Sequence, residues 1–107
     1  MADFVRVIAA SDLAPGRATE VDVAGHAVAL FNVDGTFHAL ANRCPHRGGP
    51  LGQGFVDGPE VSCPWHSWTF DVTTGANTTD GEMTVPCHQV KVEDGQVYVR
   101  IRPAGAE

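Results

Sequence analysis

The chain has 107 residues, 13 of them acidic and 7 basic, for a formal net charge of −6. That length suits one domain with a modest core, so a single domain over 1–107 is expected, without room for a second folded unit. The acidic excess disfavours nonspecific attraction to nucleic acid or to an anionic membrane surface, and it favours a partner with a basic docking face.

The opening "MADFVRVIAASDL" lacks a basic segment followed by a long apolar run, and no later stretch approaches the length of a membrane span. A cytoplasmic protein with no membrane partner is therefore expected. Helix signals are poor. Only "SDLAPG" offers a capping residue, Ser11, and Pro15 with Gly16 ends whatever turn begins there. Strand signals follow. "HAVALFNV" and "TFHALAN" flank Asp34-Gly35, and "HQVKV" and "QVYVRI" flank Asp94-Gly95. An Asp-Gly pair between apolar runs predicts a hairpin. In the second hairpin Val90, Val92, Val97, Val99 and Ile101 share one phase, as a half-buried strand pair requires. Further turns are predicted at Asp57-Gly58, Thr74-Gly75 and Asp80-Gly81. Turns at this spacing predict an all-β sandwich or barrel, with residues 43–75 as an inserted, turn-rich subregion.

Three cysteines make an odd number for a disulfide framework. In a reducing compartment, cysteines interleaved with histidines read better as metal ligands or catalytic groups. Cys44 and His46 are separated by one residue and Cys63 and His66 by two, with residues 47–62 between the pairs. Pro45 and Pro64 follow the two cysteines and stiffen each turn. Between them "RGGPLGQG" supplies glycines that let the backbone approach a bound group and aim N–H donors at it. Two loops, each with one thiolate and one imidazole, suggest a dinuclear site. A structural Cys2His2 zinc site uses the same ligands, although the C-x2-4-C knuckle usual in zinc fingers is missing.

The pattern C-P-H-x16-C-P-W-H, followed by "SWTFDVTTG", resembles the cluster-binding segment of Rieske [2Fe–2S] proteins. "VDGTFHALANRCPHRGGPLGQG" and "VPCHQVKVEDGQVYV" extend the resemblance over essentially the whole chain. It is nearest to the soluble ferredoxins that serve ring-hydroxylating dioxygenases and to the small subunit of assimilatory nitrite reductases. The resemblance implies a Rieske-type β-sandwich or barrel with an inserted cluster-binding subdomain and one [2Fe–2S] cluster per chain. Cys44 and Cys63 would hold the inner iron, and His46 and His66 the outer one.

With every ligand position filled by protein, such a cluster carries electrons and offers no site to a substrate. The implied partners are a flavin-containing, NAD(P)H-dependent reductase and a terminal oxygenase, or alternatively the large subunit of a nitrite reductase. No catalysis of the chain's own is expected. A zinc-stabilised interaction module is the remote alternative. Cys87 reads as a small packing residue. His26, His38 and His88 lack a partner cysteine at ligand spacing and read as surface or core residues. Trp65 and Trp68 read equally as packing or as a shield against water. By the resemblance, Pro86 belongs to a proline-bearing loop that covers the cluster.

High-potential members of the family carry a Ser two residues and a Tyr four residues after the second histidine, whose hydroxyls donate to cluster sulfurs. Here those positions are Trp68 and Phe70. Such members also carry a loop-bracing disulfide, and the matching positions here are Gly49 and Trp65. The resemblance thus implies a low reduction potential.

Overall fold

The computed structural model describes residues 4–42, 50–64, 68–78 and 84–101. Strands dominate. They are β1 (Val5–Ala9), β2 (Arg17–Val23), β3 (His26–Val33), β4 (Thr36–Ala41), β5 (Phe55–Asp57), β6 (Glu60–Ser62), β7 (Thr69–Asp71), β8 (Cys87–Glu93) and β9 (Gln96–Arg100). Two short 3-10 turns, Ala10–Asp12 and Leu51–Gln53, complete the described elements. Ser11 lies inside the first of these, and the capping position is Ala9, which makes no side-chain cap. The all-β expectation holds.

Six strands form one antiparallel sheet in the order β1-β9-β8-β4-β3-β2, and β1 approaches β2 so that the sheet nearly closes into a barrel. β5, β6 and β7 form a second, three-stranded sheet within residues 43–75. Both predicted Asp-Gly hairpins form. Asp34 and Gly35 have φ of 51° and 91°, and Asp94 and Gly95 have 51° and 75°. Two successive left-handed residues give the turn a twist that matches the flanking strands. Ala24 and Gly25 make a third such turn, between β2 and β3, with φ of 52° and 86°. Its sequence gives a weaker hairpin signal, because alanine seldom adopts positive φ. Support comes from Asp22, whose Oδ1 accepts the Gly25 N–H at 3.0 Å. The predicted turn at Asp80-Gly81 lies outside the described residues.

β3 is buried on both faces. Val28 and Leu30 join Val23, Phe37, Ala39, Val97, Val99 and Leu13 in the barrel core. Ala29 and Phe31 turn the other way and pack with Leu40, Leu51, Val61, Cys63, Phe70, Val72 and Val85 in a second core beneath the three-stranded sheet. Alternation along the strand produces both faces. The register is consistent with this, since Leu30 pairs with Ala39 in the barrel core and Ala29 pairs with Leu40 in the second. Asn32, buried in the same strand, donates from Nδ2 to the Leu13 carbonyl at 2.7 Å and accepts the Gly35 N–H at 2.8 Å. Both ends of its amide are used, which removes the cost of burying it. Val92 departs from the half-buried expectation for the last hairpin and is 48% exposed, close to the Asp94-Gly95 turn.

Candidate metal centre

Of the four residues expected to bind metal, Cys63 is described; Cys44, His46 and His66 lie outside the described residues. Among the described residues no group of three or more His, Cys, Asp or Glu is assembled to hold a metal ion. The segments that flank the two expected ligand loops are described, and they pack in one core.

Cys63 follows β6 and is buried at 2% exposure in the second core, beside Leu51, Val61, Phe70, Val72 and Val85. Its N–H donates to the Trp68 carbonyl at 2.7 Å, which joins the two described residues on either side of residues 65–67. Trp68 packs against this core, tilted 50° to the Phe70 ring at 6.4 Å, so its packing role is the one described. The stems of the other loop are Asn42, just after β4, and Pro50 with the 3-10 turn Leu51–Gln53. Asn42 Oδ1 accepts the Gly52 N–H at 2.7 Å and draws the stems together. Leu51, fully buried, joins the core that contains Cys63. A buried cysteine at the base of one loop, with the stem of the other packed in the same apolar core, fits a cluster ligated from both loops. Thiolate and imidazole donors suit such a cluster.

The glycines between the ligand pairs act differently from expectation at two described positions. A Cβ on Gly52 would lie 2.8 Å from the Thr19 carbonyl oxygen, and one on Gly54 would overlap the carbonyl oxygen of Ser62. Their close approach is to the protein's own backbone. Gly75 behaves likewise: its φ is 80°, its carbonyl accepts the Val85 N–H at 2.8 Å, and a Cβ there would overlap the Val85 oxygen. Asp71 prepares that turn by accepting at Oδ1 from the N–H and hydroxyl of Thr73.

Cys87 is partly buried against the second core and pairs with Leu40, in keeping with a packing role. Exposed Pro86 accepts the Ala41 N–H at 2.9 Å through its carbonyl. His26 is exposed at the start of β3, and His88 pairs with Ala39 in the barrel sheet. His38 is half-buried; burial pushes its pKa below the usual histidine value, and the Asp71 carboxylate partly opposes the shift. Reading the sequence alone overlooks Glu20 and Gln53, which fix the first loop's stems together with Asn42. The signal available is the polar Asn just before the ligand segment and the Gln between two glycines.

Among the described residues no helix is long and apolar enough to cross a membrane, which leaves membrane β-barrels untouched. Residues 3–92 match the family model described as the Rieske [2Fe-2S] domain. The chain is 40% identical over 90 residues to the human "Apoptosis-inducing factor 3", of whose length it spans 15%. It is 36% identical over 99 residues to "Ferredoxin CarAc" of Metapseudomonas resinovorans, covering 90% of this chain and 92% of that protein. Among solved structures, the ferredoxin of carbazole 1,9a-dioxygenase from Nocardioides aromaticivorans matches with a TM-score of 0.87 at 31% identity, covering 92% of this chain and 98% of that one. A ferredoxin solved in complex with the oxygenase of a carbazole 1,9a-dioxygenase matches with a TM-score of 0.84 at 32% identity, over 91% and 92% of the two chains. A Mycobacterium tuberculosis protein described as an NADH-dependent nitrite reductase small subunit matches with a TM-score of 0.89 at 27% identity, over 97% and 99%. The chain belongs to the Rieske [2Fe–2S] domain family, and its cofactor is a Rieske-type [2Fe–2S] cluster.

Proposed function

We propose that the protein is a cytoplasmic one-electron carrier that accepts an electron from a flavin-containing, NAD(P)H-dependent reductase and delivers it to a terminal oxygenase. The observation that carries this reading is the similarity in sequence and fold to ferredoxin components of dioxygenase systems, whose chains it covers almost from end to end. Cys44 and Cys63 ligate one iron and His46 and His66 the other, in one domain whose cluster-binding subregion spans about 43–75. When bound, the cluster supplies a single reversible electron. Cys63 enters from an apolar core, and Leu51, on the stem of the other loop, packs in the same core. Trp68 and Phe70, where hydroxyls would stabilise the reduced state, keep the potential low. The carrier performs no catalysis of its own.

The second reading, a small subunit of an assimilatory nitrite reductase, is favoured by the end-to-end structural match to the M. tuberculosis protein. Reconstitution separates the two. Purified reductase and oxygenase components should turn over when this protein is added, with a rate that falls as salt rises because the net charge of −6 steers the encounter. Turnover restored only with a nitrite reductase large subunit, and independent of salt, would establish the second reading instead.

A further inference from the structure

One exposed carboxylate gathers the stems of the first ligand loop. Glu20, in the middle of β2, accepts from Asn42 Nδ2 at 2.5 Å through one oxygen and from Gln53 Nε2 at 2.9 Å through the other. Asn42 in turn accepts the Gly52 N–H. Residue 42 precedes the segment 43–49 and residues 52 and 53 follow it, so both of its ends are tied to one point on the barrel wall. Gly52 makes the contact close: a Cβ there would lie 2.5 Å from Glu20 Cγ. The Gln53 and Asn42 donors, in that order of effect, also hold the Glu20 carboxyl below the usual carboxylate range. An acidic residue on an exposed strand face is ordinarily just solvated. Three hydrogen bonds converging on the two stems of one loop are not explained that way.

We propose that Glu20 is a positioning residue for the cluster: without touching metal, it clamps Asn42 and Gln53 and so fixes the loop that carries Cys44 and His46 against the barrel. The proposal rests on the reading of those two residues as ligands. Groups that orient ligands from outside the coordination sphere tune both retention and electronic properties of a metal site.

The test compares three single variants of the cluster-loaded protein with the parent. Glu20→Ala removes both bonds. Glu20→Gln removes the charge yet keeps the clamp, since its carbonyl accepts from Asn42 and its amide donates to a flipped Gln53. Asp57→Asn removes one charge from the exposed last residue of β5, outside the clamp. Three readouts are taken: cluster loss to a chelator, the g values of the reduced cluster by electron paramagnetic resonance, and hydrogen exchange at the Gly52 amide. Glu20→Ala should lose its cluster about tenfold faster, the scale of two solvent-exposed hydrogen bonds at the weak end of the net range, with shifted g values and a faster-exchanging Gly52 amide. Glu20→Gln should stay within about threefold of the parent, and Asp57→Asn should match it.

Should Glu20→Ala fail to fold, Gln53→Ala carries the test, with an expected acceleration of about threefold from one lost bond. Parent-like g values and loss rate in Glu20→Ala, or in Gln53→Ala if that variant stands in, would overturn the proposal. So would a Glu20→Gln variant as defective as Glu20→Ala, because charge alone would then be at work. A parent that binds zinc and never shows a Rieske spectrum would instead defeat the ligand reading, and the Gly52 amide would still report whether the clamp exists.

Discussion

The two cores of this molecule lie on opposite faces of β3 and are closed by different means. The barrel core is bounded by hairpins whose glycines, Gly25, Gly35 and Gly95, need positive φ, yet a Cβ added at any of them would meet nothing within 4 Å. The core that contains Cys63 is closed by glycines pressed on backbone from distant segments, Gly52 on Thr19, Gly54 on Ser62 and Gly75 on Val85. Local turn chemistry and alternation build the first. Long-range contact builds the second, where a single added methyl group meets a carbonyl oxygen.

Removing a metal ligand should separate the two regions most completely. His46→Ala and His66→Ala should each abolish the Rieske spectrum, while far-ultraviolet circular dichroism keeps the strand signal of the barrel. Cys87→Ala should retain the spectrum. A cluster that survives without His66 and vanishes without Cys87 would contradict the ligand assignment.

Glycine substitutions sharpen the comparison next. Gly75→Ala combines a left-handed backbone with overlap against the Val85 oxygen and should cost about 3 to 5 kcal/mol by denaturant titration. Gly35→Ala meets no neighbour and should cost only about 1 kcal/mol, from its backbone conformation alone. Equal costs would mean that the core beneath the loops yields as easily as a hairpin turn.

This contrast also explains what can be read from the sequence. Asp34-Gly35 and Asp94-Gly95 announce their hairpins because the residues that make the turn are adjacent. Ala24-Gly25 announces its own more weakly, since Asp22 two residues earlier supplies the stabilising bond. The proposed ligand pairs stand out because C-P-H and C-P-W-H are local motifs, and family resemblance supplies the chemistry proposed for them. The Glu20 clamp leaves only the faint signal of a polar Asn and a Gln between glycines: it joins residues 20, 42 and 53, and no short-range spacing marks a contact between three separate segments. The role of Gly52 escapes for the same reason, because its neighbour is β2 and not a bound group.

The potential offers a finer test of the loop side. Phe70 and Cys63 share the second core. Phe70→Tyr, where its hydroxyl reaches the Cys63 sulfur, should raise the midpoint by tens of millivolts, given about 1 to 2 kcal/mol for one bond favouring the reduced state. A lowered midpoint would show that the added hydroxyl does not stabilise the extra electron.

The smallest expected effect lies at His38, which pairs with Phe31 across β3 and β4. Burial depresses its folded pKa below 6.5, so the unfolded chain takes up a proton first. Its contribution to stability is therefore complete above pH 6.5 and is lost as pH falls through the folded pKa. His38→Gln should flatten that part of the stability profile between neutral and mildly acidic pH. An unchanged difference between the two pH values would remove His38 from the account.

Protein-film voltammetry of the parent at neutral pH tests the central claim most directly, that two Cys-His pairs with no hydroxyl at positions 68 and 70 hold a low-potential, one-electron centre. The account expects one reversible wave with a midpoint of roughly −200 to −50 mV, at the low end of the Rieske range. A midpoint above about +150 mV, within the high-potential part of that range, would contradict it.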